Sequence, residues 1–178
     1  GGGLMIVQPD SAENGYDIIR ASIESGMVAM VVLDSIASMV PESILNSKAE
    51  DNHMAVQARL NGKMLSIIKN SCYEHNTILY VINQTRSTMA MHGNPMTTPG
   101  GKTLKFYASQ RIYVRRKPIT KGTDVLGQEI TVKFEKNKVG TPFKTTTFDY
   151  YFNGGIDLIK DIMNTAIDMG IIYRGGAY

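Results

Sequence analysis

Two rhythms of apolar residues run along this chain of 178 residues. Leu4–Val7 is a short apolar run closed by Gln8-Pro9, and Asp10-Ser11-Ala12-Glu13 has the spacing of a helix-capping box. Ile19 and Ile23 stand four apart on the helix this predicts, and Gly26 supplies its stop. Met27–Leu33 is apolar without a break, too short for a buried helix and suited to a parallel strand covered on both faces. A second helix is predicted between Asp51 and Cys72, where Leu60, Met64, Ile67, Ile68 and Cys72 keep helical spacing. Ile78–Ile82 is a further buried strand. Residues 85–103 lose all period and are rich in Thr, Met, Gly and Pro, which predicts a long loop. Beyond it, Arg111–Arg115, Ile130–Phe134 and Phe148–Phe152 alternate as half-buried strands do. Asn153-Gly154-Gly155 is a turn, and Ile156–Met169 is a closing amphipathic helix ended by Gly170.

This alternation predicts one α/β domain, with a mainly parallel sheet flanked by helices and an antiparallel strand pair late in the chain. Ligands of such sheets sit beyond the carboxyl ends of the central strands. The residues after Leu33 and Ile82 therefore carry the candidate chemistry. Asp34-Ser35 follows the first strand. A carboxylate there can hold Mg2+ beside the β- and γ-phosphates of a nucleoside triphosphate, and it can equally be a helix cap or turn acid. Asn83-Gln84 follows the second. A carboxamide can bond a terminal phosphate oxygen, orient an attacking water, or serve as a cap. The nearest approach to a phosphate loop is Met96–Thr103, whose tail fits but whose first glycine is Met96. That match is set aside, and these residues hold no complete triphosphate cradle.

Charge changes the picture. Residues 1–74 carry five Lys/Arg against nine Asp/Glu, and residues 124–178 carry six against seven. Residues 75–123 carry eight Lys/Arg and no acid: Arg86, Lys102, Lys105, Arg111, Arg115, Arg116, Lys117 and Lys121. A stretch of this length without a carboxylate suits a polyanion, nucleic acid first and a phosphorylated small ligand second; a solvated basic face is the plainer reading. Composition excludes other classes. At 43% apolar the chain is not wholly disordered, and no apolar run is long enough to span a membrane. Cys72 is the one cysteine, which rules out an internal disulfide and predicts a reducing, cytoplasmic setting. Gly1-Gly2-Gly3 opens no signal peptide and supplies no initiator Met, so a longer protein is expected.

Taken together, the chain resembles the RecA-type homologous recombinases, in collinear order over nearly its whole length. The resemblance is carried by Val31-Val32-Leu33-Asp34-Ser35-Ile36-Ala37, His53-Met54 with Ala58-Arg59, and Val81-Ile82-Asn83-Gln84-Thr85-Arg86. It continues through Gly93-Asn94-Pro95, Gly100-Gly101-Lys102, Leu104-Lys105-Phe106-Tyr107-Ala108-Ser109, Lys136-Asn137-Lys138 and Pro142-Phe143-Lys144. It implies a RecA-like P-loop NTPase core that uses ATP and Mg2+. Such a core forms filaments of self on single-stranded DNA and pairs it with double-stranded DNA, with no membrane partner. Asp34 resembles the Walker B aspartate that positions the metal, with Ser35 beside the nucleotide. Gln84 resembles the glutamine that senses the γ-phosphate. Lys136 and Lys138 resemble the pair that reaches ATP on the neighbouring subunit, Phe106 an interface aromatic, and Phe152 an aromatic near the ribose. A first DNA loop is expected around 46–54, with Met54 and Arg59 as contacts. A second is expected over 85–101, with Arg86, His92, Gly100 and Gly101.

The pattern departs from the family at several points. The phosphate loop and catalytic Glu are expected upstream of the equivalent of Leu4, and the accessory domain is expected downstream. The second loop is one residue short, with His92 near the place of a large aromatic, and Ser66 replaces an arginine on the long helix. An ATPase-inactive DNA-binding or filament-modulating paralogue is the alternative reading. A hexameric helicase fits the Gly-Asn-Pro and Leu-Lys-Phe-Tyr-Ala-Ser segments poorly.

Overall fold

The computed structural model describes residues 3–46, 53–87, 96–97 and 103–176. They fall into two compact units, Gly1–Ala108 and Ser109–Tyr178.

In the first unit, helix α1 (Ala12–Glu24) begins at Ser11, whose hydroxyl accepts from the Asn14 N–H at 3.2 Å. The capping box expected from Asp10 to Glu13 is thus displaced by one residue. The Glu13 carboxylate instead accepts from the Glu42 N–H at 2.9 Å, at the start of the short helix α2 (Glu42–Leu45). Gly26 ends the α1 segment at φ +67°, a conformation that glycine takes without a Cβ clash. Strand β1 is Met30–Leu33 and strand β2 is Ile78–Val81, paired in parallel with Leu33 opposite Val81. A 3-10 turn, Ile36–Ser38, follows β1, and helix α3 runs from His53 to Glu74.

The core is Ala12, Tyr16, Ile19, Ile23, Ile36, Met39, Leu65 and Ile68, with Val31, Leu33, Leu79 and Val81 packed against it. Met30, Val32, Ile78 and Tyr80 alternate with those inward residues and are exposed. This corrects the expectation of strands covered on both faces. Their run of apolar residues is continuous, yet only every second side chain finds a partner among the described residues, as the period of two dictates. The short apolar run Leu4–Val7 lies exposed and outside any helix or strand. In the long loop, Arg86–Ser87 (β3) and Met96–Thr97 (β4) pair antiparallel. A five-residue helix α4 (Thr103–Tyr107) then lies against α3.

The second unit is a sheet ordered β5-β6-β7-β8, all antiparallel: Gln110–Lys121, Asp124–Asn137, Thr145–Tyr151 and Gly155–Ile156. The mixed α/β class is therefore as expected, with an antiparallel part that grows from a pair to four strands. Helix α5 (Leu158–Asp168) starts at Asp157, whose carboxylate accepts from the Lys160 N–H at 3.0 Å. The Lys160 ammonium bonds the buried Asp149 carboxylate on β7 at 2.5 Å, and this fixes α5 to the sheet. Gly127 pairs with Tyr151 at the end of the β6–β7 ladder. A Cβ there would stand 2.3 Å from the Tyr150 carbonyl, so only glycine fits.

Tyr16 and Asn61 form a buried polar pair in the first core, the hydroxyl donating to the Asn61 Oδ1 at 2.7 Å. Burial pushes the Tyr16 hydroxyl well above the ordinary tyrosine range. Tyr16→Phe strands the Asn61 carbonyl and should cost about 1–3 kcal/mol. Unfolding lets Tyr16 ionise above pH about 10 while the folded state keeps its proton, so the wild-type advantage shrinks there. Urea melts of both chains from pH 8 to 11 should show the difference narrowing; a constant difference contradicts this assignment.

Candidate functional site

The parallel pairing does not stop where the strands do. The Ile82 N–H donates to the Leu33 carbonyl at 2.9 Å, and the Ile36 N–H donates to the Ile82 carbonyl at 3.1 Å. Asp34-Ser35 and Asn83-Gln84 are thereby held side by side at the carboxyl end of the strand pair. Asp34 is exposed and Ser35 is buried, with a cis peptide between them. The Gln84 N–H donates to the Asn83 side-chain oxygen at 2.9 Å, and the Gln84 side chain projects into solvent-accessible space. One exposed carboxylate with a hydroxyl and a carboxamide nearby is an oxygen-rich set. It suits Mg2+ held by one protein carboxylate and by phosphate oxygens.

Gln57, on α3, was not singled out by sequence pattern. Its Nε2 donates to the Met39 carbonyl at 2.8 Å and to the Ala37 carbonyl at 3.3 Å. It ties the segment that follows Asp34-Ser35 to the first turns of α3. A polar residue three before Leu60 on the apolar stripe was the only available signal.

Those same turns of α3 carry the residues expected to serve a first DNA loop. Met54 lies in the opening turn and Arg59 is exposed one turn on. The second loop begins directly after Gln84, three residues past the end of β2. Its two ends are joined by the β3–β4 ladder, with Arg86 opposite Thr97. His92, Gly100 and Gly101 lie outside the described residues. The loop's exit is anchored on α3. A Cβ on Gly62 would sit 3.2 Å from the Thr103 hydroxyl, Leu104 and Tyr107 pack on the core, and the Lys69 ammonium lies 5.9 Å from the Tyr107 ring. Phe106, on the same short helix, is 72% exposed.

In the second unit, Lys136 is the penultimate residue of β6, opposite Arg111, and Lys138 lies just past the strand's last residue, Asn137, its N–H donating to the Ser109 carbonyl at 3.0 Å. Partial burial, then repulsion by Lys138 and Arg111, lowers the Lys136 ammonium below the usual lysine range. Phe152 is half exposed just past β7, in edge contact with Tyr150 at 6.5 Å. The stretch 75–123 is free of acid in sequence but not in space. Glu135 pairs with Arg111 at 2.8 Å, and Glu129 faces Lys117 across the ladder. Arg115, Arg116 and Lys117 nonetheless share a shallow pocket with Glu129 and Thr131.

Comparison with known proteins decides the lineage. A family described as the RecA N-terminal domain matches residues 2–157. The chain belongs to the RecA family. It is 40% identical to Protein RecA of Ruminococcus albus, over 98% of this chain and 44% of that protein. It is 37% identical to Protein RecA of Thermus aquaticus and 39% identical to that of Phytoplasma mali. Each match covers 98% of this chain, and respectively 52% and 53% of those proteins. The chain thus spans about half the length of the RecA relatives it matches.

Because Gln57 bonds backbone carbonyls that sit directly after the candidate metal ligand, Gln57→Ala should destabilise the chain by about 1 kcal/mol. Gln57→Glu should cost more, since a carboxylate cannot donate to those carbonyls. Denaturant melts of the two variants check the order; equal stability to wild type contradicts it.

Proposed function

We propose that this RecA-family chain is the core of an ATP-dependent recombinase that assembles on single-stranded DNA and promotes homologous pairing and strand exchange. The observation that carries the proposal is the extended strand ladder. It holds Asp34 beside Gln84, and the second loop begins at the very next residue.

In this reading Asp34 holds Mg2+, with Ser35 beside it, and Gln84 contacts the terminal phosphate. ATP supplies the phosphoryl chemistry when bound, and the chain's residues position and neutralise charge, which is how phosphoryl-transfer sites work. Because β3 begins two residues after Gln84, a shift of Gln84 toward the phosphate pulls on β3 and hence on the loop that binds the strand. Arg59, Arg86 and the backbone around Gly100 and Gly101 contact DNA phosphates, with Met54 and His92 against bases. Lys136 and Lys138 complete the nucleotide site of the neighbouring subunit, Phe152 lies near the ribose, and Phe106 packs at the subunit boundary. The filament is thereby both the DNA-binding form and the catalytic form.

Gln84→Ala in the intact protein should leave ATP binding within about threefold of wild type, a change of under 1 kcal/mol. It should abolish the ATP-dependent rise in single-strand affinity, read by fluorescence anisotropy of a labelled oligonucleotide. Retained stimulation removes Gln84 from the coupling. If ATP leaves the wild-type affinity unchanged, a DNA-binding paralogue without a working nucleotide site becomes the better reading.

Because lysines and arginines dominate the proposed DNA face, wild-type affinity for a single strand should fall more than about tenfold between 50 and 200 mM salt. A flat response over that range would count against phosphate contacts as the main source of binding.

A further inference from the structure

Lys136 and Lys138 are long, flexible cations that repel each other at the very end of a strand. Nothing intrinsic to lysine keeps two such groups at a fixed spacing. The structure supplies the restraint through the residue between them.

The Asn137 Oδ1 accepts two hydrogen bonds, from Gln110 Nε2 at 3.1 Å and from the Val139 N–H at 3.2 Å. Its Nδ2 donates to the Thr141 carbonyl at 3.4 Å. One carboxamide therefore joins strand β5, the end of β6 and the segment that leaves it. Gly140 closes over this amide, since a Cβ there would stand 3.0 Å from Nδ2. The ladder is irregular at the same place. Gln110 pairs with Asn137 and Arg111 with Lys136, but Ile112 pairs with Phe134, so Glu135 is an extra residue on β6. Such a bulge bends the strand and re-aims the side chains beside it. The Arg111–Glu135 ion pair spans the bulge at 2.8 Å.

The geometry points to Asn137 as a positioning residue. Clamped by Gln110, it sets the spacing and direction of Lys136 and Lys138 toward a phosphorylated ligand. This inference rests on the proposed role of the two lysines in completing a neighbour's nucleotide site. Asn137 touches no phosphate itself. Its removal frees residues 139–141 from the strand end, leaves Lys138 held there by its N–H bond to the Ser109 carbonyl alone, and lets charge repulsion separate the two ammonium groups.

The test uses the intact protein in filaments, with ATP turnover as the readout. Misplacement of a catalytic contact by about 1 Å costs on the order of a hundredfold. Asn137→Ala should therefore lower turnover by about ten- to a hundredfold, with ADP binding unchanged. Gln110→Ala and Gly140→Ala each disturb the same amide from another side and should give smaller losses of the same kind. Filaments are then formed with an excess of Asp34→Asn subunits, whose own site is disabled but whose lysines are intact. Turnover per Asn137→Ala subunit should recover toward wild type, because its nucleotide is now completed by an intact neighbour. A residue that merely supports its own fold gives no such rescue, so a loss that persists in the mixture overturns the proposal. Full activity of Asn137→Ala, beside an impaired Lys136→Ala/Lys138→Ala variant, also overturns it while leaving the lysines' role standing. If the double lysine variant is itself unimpaired, the underlying reading of the lysines fails and Asn137 has nothing to position.

Discussion

Two backbone hydrogen bonds hold the candidate site together: Ile82 to Leu33, and Ile36 to Ile82. They extend the parallel ladder by one step beyond the point at which the chain leaves strand geometry. Without them Asp34 and Gln84 would stand at the tips of two independent loops. With them, Asp34 and Gln84 are held beside each other at the strand ends. The inward residues Val31, Leu33, Leu79 and Val81 hold the strands in turn, through their contact with the core under α1 and α3. In the proposed function, a ligand that draws on Gln84 would act against this support, and the displacement would pass into the loop that follows.

That loop is anchored at both ends within the same unit. Its entry is continuous with β2, its flanks are joined by the β3–β4 ladder, and its exit helix α4 is seated on α3 through Gly62, Leu104 and Tyr107. The helix α3 also begins with the residues of the first loop and is tied by Gln57 to the segment after Asp34. One helix thus meets both candidate DNA loops and the end of β1 that carries Asp34. The second unit works by different means. There a bulge, an ion pair and one asparagine hold cations at a strand end, and the buried Asp149–Lys160 pair fixes α5 to the sheet.

Much of this was legible in the sequence. The apolar stripe on α3, the break at Gly26 and the strand cores around Val31 and Leu79 follow from periodicity. The candidate ligands followed from their place just after those strands. Other features were not legible, for physical reasons. Continuous apolar runs such as Met27–Leu33 look two-sided, although the period of two lets alternate residues remain exposed. The cap is Ser11 rather than Asp10, and Glu13 bonds the α2 N-terminus, a partner 29 residues away that spacing does not reveal. The apparent absence of acid near Arg111 and Lys117 disappeared once β6 brought Glu135 and Glu129 alongside. Gln57 and Asn137 act through carbonyls and amides that only the folded backbone assembles, so no spacing rule could reveal them.

The central claim is that Asp34 and Gln84 act on one nucleotide as a unit, because the ladder places them together. A double-mutant cycle on ATP turnover measures this directly, using Asp34→Asn, Gln84→Ala and their combination in the intact protein. Groups that share one ligand couple by about 0.5–3 kcal/mol, whereas distant groups add within a few tenths. The account predicts strong coupling, with the double variant little slower than the slower single one. Losses that simply add would mean that the two residues serve separate sites, and would contradict it.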